Sequence, residues 1–168
     1  MYGRSMAKAA RKYWLMKSEP DVYSIEDLKR DGSTYWDGVR NYQARNFMRD
    51  QMQVGDWVLY YHSNATPPGV AGLATVSKDG YPDPTQFDKK SKYFDSKATK
   101  ETPRWFLVDL SFKESFKDLV SLEELKAAAD ELEGMLVIKK GQRLSVQPVE
   151  KEHFKRVLKM AGSKSKIR

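Results

Sequence analysis

The chain has 168 residues, a net charge of +7 and no cysteine. That length makes one domain the default and is enough to bury a core without covalent staples. The lack of cysteine excludes a disulfide framework and a thiolate metal site, and it fits an intracellular setting, cytoplasmic or nuclear. No apolar run approaches the ~20 residues of a membrane helix. The opening residues are basic without an apolar centre, so a secretory signal is not expected.

The charge is unevenly placed. Residues 1–17 carry +5 and residues 151–168 carry +6, while residues 18–150 carry −4. Basic ends can grip a phosphate backbone without reading sequence, and they equally serve solubility. The expected division is a basic N-terminal extension at 1–11, one folded domain at 12–162 and a basic tail at 163–168. Residues 1–5 read as an added leader ahead of a start at Met6.

Residues 12–17, K-Y-W-L-M-K, read as a strand. Ser18-Glu19-Pro20 stops it, because Pro20 has no N–H for a ladder and holds Glu19 extended. Ser24 and Asp27 make a weak capping box for a short helix with Ile25 and Leu28 inward. Asp31-Gly32-Ser33 ends that helix. Residues 36–46, W-D-G-V-R-N-Y-Q-A-R-N, form a tight corner. Asp37-Gly38 is a turn, since glycine takes positive φ freely, and Asn41 is an N-cap for the next helix. Ala44, Phe47, Met48 and Met52 mark the inward stripe of that helix, with Arg45, Arg49 and Asp50 off it.

Val54-Gly55-Asp56 is a turn. Residues 57–62, W-V-L-Y-Y-H, are a strong strand, and residues 70–76 make a second strand antiparallel to it. Gly72 marks a bulge or a close backbone approach. Residues 77–103 hold Pro82, Pro84 and Pro103 and many lysines. They are expected as a long loop, which in a compact domain is functional or disordered, with Tyr93-Phe94 pinning it down. Residues 104–112, R-W-F-L-V-D-L-S-F, are the clearest strand. Ser121 and Glu124 form a capping box for a helix through Ala129. Residues 135–138 are a short strand or turn, and 144–149 a last strand with Pro148 at its end or at an edge. Phe154, Val157, Leu158 and Ala161 make a closing helix capped by Gly162. Without a regular βαβ rhythm, the fold class is α+β, a small mixed β-barrel with short helices over its ends.

Few residues suggest catalysis. His62 and Ser63 are adjacent, but neighbours in a strand point to opposite faces, and no third group is spaced to orient the base. A small hydrolase using that pair is a remote alternative. His153, in the closing helix, is expected at the surface. Two histidines and no cysteine argue against zinc, and no phosphate-loop or dinucleotide fingerprint is present, so neither metal nor cofactor is expected. Glu123-Glu124 sit where a helix start favours negative charge.

Binding is better supported. Four groups fall at strand ends or corners: residues 17–20, 36–42, 62–64 and 103–105. Loops at strand ends are where small barrels hold ligands. If the four converge, Trp36, Tyr42 or Trp105 would stack on a base, worth ~1–3 kcal/mol. Asn41, Ser63 and Asn64 would bond its edge, and Lys17, Arg40 and Arg143 would neutralise phosphates. Singly, each has an ordinary role: Trp105 as core, Asn64 as a turn residue, Arg143 as a solvated side chain.

Y-W-L-M-K-S-E-P (13–20), W-D-G-V-R-N-Y-Q-A-R-N-F (36–47), V-G-D (54–56), Y-Y-H-S-N (60–64), G-V-A-G-L-A (69–74), Y-P-D-P-T (81–85), P-R-W-F-L-V-D (103–109) and R-L-S-V-Q-P-V (143–149) together resemble the EVE domain family. That family belongs to the PUA-like superfamily and is related to the YTH readers. The resemblance runs in order over nearly all of residues 12–160. It implies a PUA-like β-barrel that reads nucleic acid without catalysis. A modified base in DNA or RNA, such as methylated or hydroxymethylated cytosine, would be flipped into an aromatic-walled pocket. By motif position that pocket involves Lys17, Ser18, Trp36, Asn41, Tyr42, Ser63, Asn64 and Trp105, with residues 77–103 forming part of one wall. A monomer is favoured. The alternative is an RNA-binding accessory module beside an RNA-modifying enzyme, indifferent to the modification.

Overall fold

The computed structural model describes residues 10–167. Most of the expected N-terminal extension, the expected leader at 1–5, and residue 168 of the expected tail lie outside the described residues. Six strands make one mixed sheet in the order β2-β5-β4-β3-β1-β6. They are β1 (Tyr13–Ser18), β2 (Ser33–Tyr35), β3 (Trp57–His62), β4 (Gly69–Pro82), β5 (Phe106–Ser121) and β6 (Val146–Val149). The ladder does not close on itself, so an open sheet stands where a barrel was expected. Its edges are β2, only three residues long, and β6, which carries Pro148 and so lacks a donor at that point.

β1 and β3 lie side by side and parallel, from Tyr13 opposite Trp57 to Ser18 opposite His62. Both of their apolar runs are unbroken because both faces of the sheet are covered. Trp14, Met16, Val58 and Tyr60 point into one core with Ile25 and Leu28 of α1 (Ile25–Asp31) and Ala44 of α2 (Tyr42–Asn46). Tyr13, Leu15, Leu59 and Tyr61 point into the other core. There they meet Leu125 of α3 (Leu122–Ala127) and Phe154 and Val157 of α4 (Lys151–Ala161). Each such side chain fully buried contributes roughly 1.5–3 kcal/mol.

Both expected capping boxes form, Ser24 with Asp27 and Ser121 with Glu124. α1 gains a second tie, because its Ile25 N–H donates to Nε2 of His62 at 3.1 Å. Asp56, in the turn before β3, is buried and accepts from the Trp14 indole N–H (2.9 Å) and from the backbone N–H groups of Lys12 and Gln53. Gly72 is a close approach: a Cβ there would meet the Glu114 carbonyl oxygen at 2.3 Å and the Ile25 side chain at 2.6 Å.

Several elements differ from expectation. α2 ends at Asn46 and widens into a π-helical turn at Phe47–Gln51. β4 and β5 run far beyond their apolar centres and pair along most of their length, so β4 takes in the start of the expected loop. β2 pairs antiparallel with β5 although it carries no apolar alternation. Leu136–Ile138 is a single 3₁₀ turn. His153 is buried at 9% exposure rather than on the surface, with Nδ1 3.6 Å from a Glu150 carboxylate oxygen. The start of the basic tail is tied down: the Ser163 and Ser165 hydroxyls donate to Glu114 at 2.6 and 2.7 Å, and Ile167 packs on the second core. No helix among the described residues is long and apolar enough to cross a membrane.

Candidate binding cleft

The parallel β1–β3 pair brings two C-terminal strand ends together, and the Ser63 N–H donates to the Ser18 carbonyl at 3.0 Å. Beside Ser18 the chain leaves β2 through the 36–41 corner. Between these segments is a cleft of about 570 Å³, within the usual size range of small-ligand sites. Lys17, Ser18, Trp36, Asp37, Arg40 and Asn41 are among the residues lining it, with Tyr23, Tyr93 and Ser145. A larger cavity of about 830 Å³ lies at the other end of β1, between residues 10–14, Trp57 and Lys166. It holds none of the sequence-predicted site residues and opens beside residue 10, where the described chain begins.

Each wall of the smaller cleft is held in place. The Trp36 N–H donates to the Val108 carbonyl at 2.9 Å, and its ring meets Tyr60 edge-on with centroids 5.5 Å apart. Tyr60 and Ser18 both donate their hydroxyls to the Tyr23 carbonyl, at 2.7 and 2.8 Å. The Asn41 side-chain oxygen accepts from the Ala44 N–H at 2.9 Å, the expected N-cap, which leaves its amide N–H₂ as the free end. The Lys17 ammonium lies 3.4 Å from the Gln142 carbonyl, and burial pushes its pKa down. Burial and the neighbouring Asp83 push the Asp37 carboxyl up.

Gly38 has φ +80°, and a Cβ there would lie 2.5 Å from the Tyr93 ring. This contact docks the proline-rich segment onto the corner. Asp83 is the second tie. It accepts from the Gly38 N–H at 2.8 Å, from Arg40 at 3.1 Å and from the Thr85 N–H at 2.8 Å. Arg40 also donates to the Thr85 hydroxyl and to the Tyr93 carbonyl. Gln86 closes the far side: its side-chain oxygen accepts from the Arg104 and Trp105 N–H groups.

The ten sequence-predicted site residues therefore divide. Lys17, Ser18, Trp36, Asn41 and Arg40 share the cleft, but the Arg40 guanidinium is already held by Asp83, Thr85 and Tyr93. Trp105 lies beyond Arg40, whose guanidinium is 5.3 Å from the indole centroid. It is 6% exposed, stacks on Tyr42 at 4.8 Å and donates its indole N–H to Asp95 at 2.8 Å. Tyr42 contacts Arg104 through its hydroxyl and lies under Arg45. Those two rings thus occupy each other and do not line the cleft. Asn64 turns with φ +49° and donates to Glu19 at 3.3 Å, and neither it nor Ser63 reaches the cleft. Arg143 is exposed and lies between Gln142, which meets Lys17, and Ser145, which lines the cleft.

Asp37, Tyr23, Tyr93 and Ser145 were missed as cleft residues. Asp37 and Tyr93 had been noticed only as turn and anchor. His62 and Ser63 make no hydrogen bond with each other: His62 Nε2 serves α1, and burial pushes its pKa down. Among the described residues, no group of three or more histidine, aspartate or glutamate side chains could hold a metal ion.

Residues 12–160 match the EVE domain. Human thymocyte nuclear protein 1 is 41% identical to the chain, the match covering 94% of this chain and 77% of the relative. A crystal structure of human THYN1 protein in complex with 5-methylcytosine-containing DNA is 41% identical with a TM-score of 0.84, covering 92% of this chain and 99% of that one. A protein from Pseudomonas syringae is 48% identical with a TM-score of 0.84, covering 89% and 99%.

Proposed function

The chain belongs to the EVE domain family, and from that premise we propose that it is a non-catalytic DNA-binding reader of a modified base, 5-methylcytosine, taken out of the duplex into the cleft beside Trp36. The observation that carries the proposal is the cleft itself. It sets a large aromatic beside free polar ends, in a volume suited to a nucleotide, at the meeting of two strand ends. The DNA-bound THYN1 structure, so similar in fold, supports the choice of DNA and of methylated cytosine.

Extrusion costs about a few kcal/mol. Contact with an aromatic ring returns ~1–3 kcal/mol per base, and the C5 methyl adds apolar contact. Lys17, Ser18, Trp36 and Asn41 would meet the base. Tyr42, Trp105, Ser63 and Asn64 would frame the cleft from behind. Arg40 would hold the wall, while Arg143 and the basic ends would meet phosphates, giving a salt-dependent, sequence-independent share of the affinity. Such a protein works with DNA inside the cell.

Titration of matched duplexes, with and without a single 5-methylcytosine, tests the proposal. Tighter binding of the methylated duplex is expected, and equal affinity rejects it. Stronger binding to RNA, regardless of methylation, would favour the accessory-module alternative.

A further inference from the structure

We propose that Asp37 is the residue that separates 5-methylcytosine from thymine in this cleft, an inference that rests on the base-reading function above. A reader that relied on ring stacking and the C5 methyl alone would accept thymine equally, because thymine carries the same methyl on a ring of the same shape. The two differ at the edge. Cytosine offers an amino donor at C4 and an acceptor at N3, whereas thymine offers an acceptor at O4 and a donor at N3.

The polar groups of the cleft fit the first edge. The Asp37 carboxylate is a pure acceptor when ionised, and among the described residues no other residue donates a hydrogen bond to it. Other aspartates near the cleft or in the sheet are committed. Asp56 takes the Trp14 indole N–H, Asp83 takes Gly38 and Arg40, Asp95 takes the Trp105 indole N–H and Asp109 takes the Tyr81 hydroxyl. Asp37 alone of these lines the cleft.

Its backbone is anchored on both sides, by the Trp36 N–H on Val108 and by the Gly38 N–H on Asp83. The acceptor is therefore preorganised. Facing it are groups left as donors: the Asn41 amide N–H₂, whose oxygen is used by Ala44, and the Lys17 ammonium. One acceptor opposed by donors suits the amino group, N3 and O2 of cytosine. The same set turns a carboxylate against O4 of thymine.

The test uses the full-length protein and three oligonucleotide duplexes with 5-methylcytosine, cytosine or thymine at one position. Each target base is placed opposite an abasic site so that the loss of pairing is equal for all three. The wild-type protein should bind the thymine duplex about 10–100-fold more weakly than the 5-methylcytosine duplex, as expected for one good edge contact. Asp37→Asn, which keeps the shape and can donate to O4, should bring that ratio close to one or invert it. A wild-type protein that binds all three duplexes alike overturns the base-reading function and the role of Asp37 with it. A wild-type protein that discriminates, with the ratio unchanged in Asp37→Asn, overturns the role of Asp37 alone.

Discussion

Arg40 donates to Asp83 across 3.1 Å, and the Asp83 side chain is fully buried while that of Arg40 is 22% exposed. Through this pair the 36–41 corner and the segment after β4 become one wall. Removing one partner of a buried pair leaves the other uncompensated and costs about 3–5 kcal/mol. Asp83→Ala should fall towards the lower end, because Arg40 can still reach water. The expected outcome in urea denaturation is a loss of roughly 3 kcal/mol, with weakened DNA binding. An unchanged midpoint would show that the pair is dispensable.

Gly38→Ala strains the same wall in two ways. A left-handed backbone costs roughly 1–2 kcal/mol for an alanine, and the new Cβ would overlap the Tyr93 ring. Adding Tyr93→Ala should recover the overlap but not the backbone strain, so a double-mutant cycle should show positive coupling between the two positions. Additive effects would mean that the ring moves aside freely.

His62 gives the fold a pH dependence. Its Nε2 accepts from the Ile25 N–H, which only the neutral ring can do, and burial depresses its pKa. The unfolded ring takes up a proton near pH 6.5, before the folded one does. Stability from this bond is therefore complete above that pH and declines as the pH falls below it towards the folded pKa. Urea midpoints at pH 7.5 and 5.5 should show the decline, and His62→Gln should flatten it. An equal decline in the variant would place the titration elsewhere.

Trp105→Ala distinguishes support from contact. Truncating a buried tryptophan costs about 3–5 kcal/mol, while loss of the stacking partner in Tyr42→Ala should cost nearer 1 kcal/mol. Both should lower DNA affinity only through the loosened wall. A Trp105→Ala protein with an unaltered melting transition and abolished base binding would instead put the indole against the ligand.

Local signals in the chain were legible where one residue stretch decides the outcome. The apolar runs of β1 and β3, the capping boxes at Ser24 and Ser121, the Asn41 cap and the close approach at Gly72 were of this kind. What escaped was decided by partners distant in sequence. Ser33-Thr34-Tyr35 is a strand only because β5 offers it a ladder. The polar stretch Ser77-Lys78-Asp79 looks like loop, yet most of it is carried by pairing with Asp109 and Leu107 of β5. An unbroken apolar strand does not encode whether its neighbour is parallel, so the adjacency of Ser18 and Ser63 could not be foreseen. At the cleft, Trp36, Lys17, Ser18 and Asn41 fell together as the strand ends suggested. Arg40 looked free for phosphate because its acceptors Asp83 and Thr85 lie more than forty residues away, and Asp37 was hidden by its evident role in a turn.

A crystal structure of the protein with a duplex carrying one 5-methylcytosine is the most direct measurement. The base should lie outside the helical stack in the cleft, its ring beside Trp36 and its amino edge towards Asp37. A methylcytosine still paired within the duplex, with the cleft taking no nucleotide, would contradict the proposal.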